Sequence, residues 1–380
     1  MSVFTRPLKV SGISEMKVGF ASNDWSRSVI DQFGRPVMGG SGHIRIGQYM
    51  QRFKELGYDA CVGILAHNRM TGTFGIHTWD EQDFFDCDVI VMQRYMHMQV
   101  LPDMKGAQAA GQIILQDVDD WYWGLSEKNH AYQASNPNSN PQENVNWYRN
   151  IIEESDGIIA STPFLLKKMS KWNENVLLHT NYVDRAKYKD RRIHSNNEKM
   201  VVGWMGSTAH RSGDLEVLRP HSDEISKFAT WHHTGHLPAI HIPQFEKEIG
   251  VSAGIVSRSP FLPPTELHKG FKFDAGIVPL TDIPFNHAKS YIKGLEYACG
   301  GVPFVASYSP QYEELVEEHG IGKLARNPKD YVKLLKDLTD LDYRQEQSDK
   351  AWRAVKKFDL KVGAPKLWKT IGQLKRNAKR

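Results

Sequence analysis

Four side chains near residue 290 have the types and spacing to hold a nucleoside diphosphate: Asn286, Lys289, Lys293 and Glu296. At 100° per residue they fall within an arc of about 80° on one helix face. Ser290 belongs to the same turn. The strand pattern DAGIVPL and the loop TDIPFN precede them, so the expected helix begins near residue 286 at a strand's carboxyl end. Free backbone N–H groups and the helix dipole favour an anion there, and lysine adds a full charge. Glu296 lies about two turns further in, roughly 15 Å along the axis, where a carboxylate suits ribose hydroxyls. Spacing alone fits a solvated stripe with a Lys293–Glu296 pair equally well.

Three other loops carry comparable chemistry. GGSGHIR (39–45) is a glycine-rich turn entering a helix. Gly40 and Gly42 would let backbone N–H groups approach a phosphate or sugar. Arg45 reads either as a phosphate contact or as a surface salt bridge. QDVDDWYWGL (116–125) ends an apolar strand with Asp117, Asp119 and Asp120, acids suited to hydroxyls or to capping the next helix. Asp119 and Asp120 are the candidates for an acceptor base. VGWMGSTAHRSGDL (202–215) offers Gly206, Ser207, His210 and Arg211 after another strand. WHHTGH (231–236) invites a zinc reading through His232, His233 and His236, but no cysteine lies near it. A strand end in a base-binding pocket suits it better, and no metal ligand is assigned.

These loops need a scaffold that gathers strand ends. From residue 16 the chain alternates apolar runs with helical patterns, the signature of a parallel α/β sheet. MKVGFAS, ACVGIL, DVIVMQR, QIILQDVDD and GIIAST form a first round, and MVVGWMGS, KFATWHHTG, DAGIVPL and VPFVAS a second. The expected domains are 1–190, 191–355 and a basic C-terminal helix at 356–380. Val362, Leu367, Trp368, Ile371 and Leu374 would be that helix's packed face. RAKYKDRRIHSNNEK reads as the linker, and the Asn/Ser/Pro-rich 126–144 as a loop. Open α/β sheets bind ligands at the carboxyl ends of their strands, so two such domains make a cleft with strand ends on both walls.

Bulk properties narrow the class. The 380 residues exceed one ordinary core. No run approaches the roughly 20 apolar residues of a membrane span, and the N-terminus lacks a signal-peptide core. Three cysteines without metal spacing suit a reducing, cytoplasmic interior. The net charge is +4, yet residues 356–380 hold nine Lys or Arg against one acid, leaving 39 basic and 43 acidic residues elsewhere. The body is not a general polyanion binder, and only the basic tail points towards DNA.

The segment PFNHAKSYIKGLEYACGGVPFVAS (284–307), with VGWMGSTAHRSGDL before it, resembles the donor half of GT-B-fold glycosyltransferases. The resemblance is closest to the retaining family 4 type, including versions carried by bacteriophages. It implies two Rossmann-like domains facing across a cleft, an acceptor domain followed by a donor domain. A C-terminal helix would return to the first domain. It implies transfer of a hexosyl or pentosyl group, with retention, from a nucleotide sugar to an acceptor hydroxyl. A UDP-sugar is the favoured donor, with no further cofactor. Glu296 matches the family's ribose-binding glutamate. Its partner eight residues earlier is replaced by Ala288, a place that Asn286, His287 or Lys289 could fill. Lys289 and Arg211 would stabilise the leaving diphosphate, with His210 on a phosphate or donor-sugar hydroxyl. GGSGHIR resembles the family's first loop, and QDVDDWYWGL the acid-rich loop of phage-type relatives. An Asp-x-Asp run also binds a divalent metal in the GT-A fold, which lacks this C-terminal pattern; a metal is therefore not favoured. The acceptor would be a modified DNA base, a virion protein or a surface polysaccharide. An epimerase, a phosphorylase, or a nucleotide-, glycan- or nucleic-acid-binding module of the same fold are the alternatives.

Overall fold

In a computed structural model, the structure describes residues 16–30, 36–80, 82–127, 129, 132, 144–188, 194, 199–208, 213–235, 244–252, 254–259, 262 and 264–378. Sixteen strands are described, in chain order β1 Lys17–Ser22, β2 Trp25–Ile30, β3 Pro36–Met38, β4 Asp59–Asn68, β5 Thr73–His77, β6 Asp83–Phe84, β7 Val89–Gln93 and β8 Ile113–Val118. They continue with β9 Gly157–Ala160, β10 Val176–Leu178, β11 Met200–Met205, β12 Ala229–Thr234, β13 Val256–Arg258, β14 Ala275–Val278, β15 Phe304–Ser307 and β16 Lys323–Ala325. The first sheet runs β10-β9-β8-β7-β1-β4-β5-β6 and the second β13-β12-β11-β14-β15-β16.

Strands buried on both faces read as continuous apolar runs, because helices cover a parallel sheet on both sides. VIVMQ of β7 and AGIV of β14 are of this kind, buried at every position. The parallel expectation fails at one edge: β5 pairs antiparallel with β4, and β6 with β5. The tight Asn68–Thr73 connection, closed by Gly72 N–H to Asn68 O (2.8 Å), permits a hairpin and no crossover helix. Between β1 and the glycine-rich turn lies the antiparallel β2–β3 pair.

Helices start where their sequence allows it. Thr162 Oγ1 accepts from Leu165 N–H (3.2 Å) ahead of Pro163, and Ser309 Oγ from Tyr312 N–H (3.3 Å) ahead of Pro310. Both place a capping hydroxyl before a proline at the first helical position. The helix expected to run from residue 284 or 286 is interrupted. Pro284–His287 forms one turn, and the helix proper is Ile292–Cys299. Ala288 is buried among first-domain apolar side chains, and its carbonyl accepts from Thr162 Oγ1 (3.3 Å). The chain is thereby held across the cleft and cannot continue the helix through residues 288–291.

The last helix, Leu360–Asn377, enters beside the first domain through Leu360 N–H to Val183 O (2.9 Å). Leu360, Ala364, Leu367, Trp368, Ile371 and Leu374 pack with Tyr49 and Phe53 under the first sheet. Trp368 stacks on Tyr58 at 4.5 Å. Val362, expected on this face, is 39% exposed: it lies off the stripe that Leu360, Ala364, Leu367 and Ile371 define. The second domain's core lies on both sides of its own sheet.

Candidate active site in the interdomain cleft

Each sheet reverses strand order once, at β1/β7 and at β11/β14, the positions where open α/β sheets leave a crevice. The two crevices share a cavity of ≈ 320 Å³. The first domain contributes Gly40, Ser41, Ile44, Arg45, Asp119, Asp120 and Asn181. The second contributes Gly206, Ser207, Gly235, Lys289, Ser290, Lys293, Glu296 and Tyr312, with apolar lining from Met205, Val278, Leu280 and Ile292.

On the second-domain wall, Gly206 follows β11 with φ +151°, a conformation L side chains rarely adopt. His233 Nε2 lies 2.9 Å from Gly206 O, and its ring stacks on Trp204 and Phe245 at 5.2 and 5.0 Å. Burial lowers the His233 pKa to about 4, so the neutral ring donates that bond. Lys293 lies over the Trp204 ring at 4.4 Å and faces the cavity. Lys289 crosses the cleft to Asp120 Oδ1 (2.8 Å) with its ammonium 4.1 Å from the Phe285 ring centroid. Glu296 lies deeper, and burial raises its pKa to about 7 against the pull of Lys293, Lys187 and the Tyr188 hydroxyl. Lys187 in turn lies 2.9 Å from His43 Nε2, whose pKa burial and Lys187 lower to about 3.

The first-domain wall is built around two arginines. Arg45 is buried and paired bidentately with Asp117, Nε to Oδ1 (2.9 Å) and Nη2 to Oδ2 (2.7 Å). Its Nη1 donates to His179 O (2.8 Å) and Asn181 Oδ1 (2.7 Å). This is a buried ion pair at the cavity wall and not a surface salt bridge. Arg94 follows β7 and is the one non-glycine described residue with positive φ, +63°. Its Nη2 donates to Ser41 Oγ (2.9 Å), Asp120 Oδ2 (3.1 Å) and Asp119 Oδ2 (3.3 Å), and Nη1 lies 3.6 Å from Asp24. Burial raises the Asp119 pKa, and Arg94 opposes the rise. A guanidinium therefore occupies the centre of the acidic loop.

Of the residues singled out from sequence, Gly40, Arg45, Gly206, Ser207, Lys289, Ser290, Lys293, Glu296, Asp119 and Asp120 converge on the cavity. Asn286 does not. It is buried, and its Nδ2 donates to Asp214 Oδ1 (2.6 Å) and Thr281 O (3.0 Å), fixing the loop after β14. Gly42 is also behind the site: an added Cβ would meet Met38 Cγ at 2.7 Å, and its N–H already donates to Asp24 Oδ2 (2.8 Å). The first glycine loop is thus capped by the protein's own carboxylate. His210, Arg211 and His236 lie outside the described residues. His232 is held by Ser257 and Ser259, at 2.7 and 3.0 Å. Sequence reasoning missed Arg94, Ser41, Asn181 and Lys187. Arg94 had one usable signal, a basic residue directly after the buried strand VIVMQ; Ser41 lay inside the glycine-rich turn singled out from sequence, and the others had none.

The sequence matches no family model and no curated protein. Solved structures are similar along nearly the whole chain. Sucrose-phosphate synthase from Thermosynechococcus elongatus superposes with a TM-score of 0.65 at 12% identity, covering 95% of this chain and 98% of that one. The fold is GT-B. HepE of Anabaena in complex with UDP-glucose matches this GT-B chain at TM-score 0.58 and 15% identity, covering 94% and 99%. WaaG, a glycosyltransferase involved in lipopolysaccharide biosynthesis, matches at 0.59 and 13%, covering 93% and 99%.

Proposed function

We propose that this GT-B protein transfers a hexosyl or pentosyl group from a nucleoside diphosphate sugar, a UDP-sugar foremost, to an acceptor hydroxyl with retention. The observation that carries the reading is the cavity between the two sheets. Lys289 and Lys293 line one wall, Asp119 and Asp120 the other, and Glu296 lies at depth. Bond cleavage places negative charge on the departing diphosphate. Lys289, Lys293 and the N-terminal turn of Ile292–Cys299 stabilise that charge, with Gly206 and Ser207 admitting the phosphates closely. Glu296 accepts hydrogen bonds from the ribose. Asp119 or Asp120 takes the acceptor's proton, and Arg94 orients both. This chemistry needs no metal ion, and the reading places it in the cytoplasm.

Lys289 pairs with Asp120, and a diphosphate with two or more charges competes for it effectively. The test is nucleoside diphosphate release measured over a panel of nucleotide sugars, with and without Lys289→Ala. Turnover with one donor, falling on the order of 100-fold in the variant, supports the assignment. Tight nucleotide binding without turnover by any donor would mark a binding module instead.

A further inference from the structure

Charge is distributed unevenly between the two walls. Asp24, Asp119 and Asp120 surround Arg94 on the first-domain wall, and Arg45 is neutralised by its bidentate pair with Asp117. A proton on Asp119 would still leave two carboxylates against one guanidinium. Lys289 and Lys293 belong to the opposite wall, where a donor diphosphate would engage them. Among the described residues, once a diphosphate has drawn Lys289 away from Asp120, an acceptor approaching the first-domain wall therefore meets excess negative charge from the protein and more from the donor.

The basic C-terminal helix does not correct this balance. Its last turn, with Lys375 and Arg376, lies at the other end of the first sheet, while Lys366 lies 5.7 Å from the Tyr182 ring nearer the cleft. Lys375 sits 3.8 Å from Asp88, just before β7, and Leu374 O accepts from Asn175 Nδ2 (3.0 Å), just before β10. Arg94 follows the carboxyl end of β7, and Asp119 and Asp120 that of β8. β7 and β8 run parallel, so a full strand length, about 17 Å or more, separates the basic end from the cleft. A polyanion gripped at this last turn would not be at the reacting centre.

What this wall does offer is alternation of donor and acceptor. Asp119 and Asp120 accept, Arg94 donates, and Ser41 can do either, all within one hydrogen-bonded group. Vicinal hydroxyls, each both donor and acceptor, match such a group. We infer that the acceptor is an uncharged polyhydroxyl compound, a sugar or glycan end without phosphate beside its reacting hydroxyl, and not a nucleic acid. The inference rests on the glycosyl-transfer reading and deepens it.

The test uses the full chain with whichever donor releases its nucleoside diphosphate slowly in water, so that donor chemistry is established first. Four acceptor classes are then compared: neutral mono- and oligosaccharides, their phosphorylated counterparts, and single- and double-stranded oligonucleotides carrying hydroxymethylated bases. The expected result is that a neutral saccharide raises release about tenfold or more over hydrolysis, while its phosphorylated counterpart does not. That stimulation should change little between 50 and 300 mM salt, quantities on the scale over which nucleic-acid binding falls by orders of magnitude, roughly 10³-fold or more. The exposed pair Lys369→Glu and Arg376→Glu should leave it unchanged. Transfer to an oligonucleotide that weakens with salt and with this double variant would overturn the inference while leaving glycosyl transfer standing. So would hydrolysis that no neutral saccharide stimulates. Failure of every donor to bind or turn over would instead remove the underlying reading, and this one with it.

Discussion

Arg94 holds the acidic loop in place while itself occupying an unfavourable backbone region. A non-glycine residue at φ +63° costs on the order of 1–3 kcal/mol, which the surrounding contacts to Ser41, Asp119 and Asp120 offset. All three are made by Nη2 at the tip of the guanidinium, a point the shorter lysine side chain does not reach. Arg94→Lys should therefore lower transfer about tenfold or more while changing donor affinity little, read as kcat against the donor KM. Glu296 makes a second residue-scale prediction. Its folded-state pKa is raised to about 7, from an ordinary value of 4.5. The folded protein thus holds this proton more tightly than the unfolded chain. The associated stability is complete below about pH 4.5 and lost as pH rises through about 7; Glu248, also raised to about 7 by burial, adds in the same direction. Under the proposed function, nucleotide binding should run oppositely, because the ionised carboxylate is the better acceptor for ribose hydroxyls. UDP affinity by calorimetry should rise up to about tenfold from pH 6 to 8, and Glu296→Gln should abolish that slope.

The break between Pro284–His287 and Ile292–Cys299 is the element that joins the two walls. Continuous helix there would keep Lys289 and Ser290 on the second domain's own surface. Interrupted, the chain places Lys289 against Asp120 and Ser290 Oγ 2.6 Å from Asn181 Nδ2. Asn181 also accepts from the buried Arg45, so it ties the interdomain segment to the core ion pair. Asn181→Ala removes the tether and leaves one buried arginine N–H with fewer acceptors, a cost of about 1–3 kcal/mol in a urea melt. Donor affinity should fall with it, since the proposed diphosphate site lies on the freed segment. A stability loss with unchanged donor affinity would show that the tether does not position the site.

At the scale of the molecule, the C-terminal helix makes the second half of the chain depend on the first. It leaves the second domain at Asp359, beside Val183, and ends under the amino ends of β9 and β10. Trp368, 1% exposed, packs against Phe53 at 5.3 Å and on Tyr58. Trp368→Ala should cost about 3–5 kcal/mol. If the helix couples the domains, the loss should appear as a lower midpoint of one shared transition in thermal or urea unfolding. Two separated transitions, with only the earlier one shifted, would show that the domains unfold independently.

Alternating apolar runs and amphipathic segments were enough to indicate two α/β rounds and the strand ends at which chemistry collects, because hydrophobic period and strand order are local properties of the chain. The antiparallel edge at β5 and β6 was not legible, since short strands carry little periodic signal. The functional meaning of individual polar residues was less accessible still. Lys289 and Glu296 could be placed at the cavity because they sit on loops and helices whose ends must face a cleft. Asn286 and Gly42 looked equivalent by type and spacing, yet Asp214 and Asp24, 72 and 18 residues away, claim their hydrogen bonds. Arg94 and Asn181 became visible only through partners distant in sequence. Composition and pattern determined the scaffold; which side chains remain turned toward the cavity was decided by long-range pairing, because a buried polar group bonds whatever the folded chain brings within about 3 Å of it.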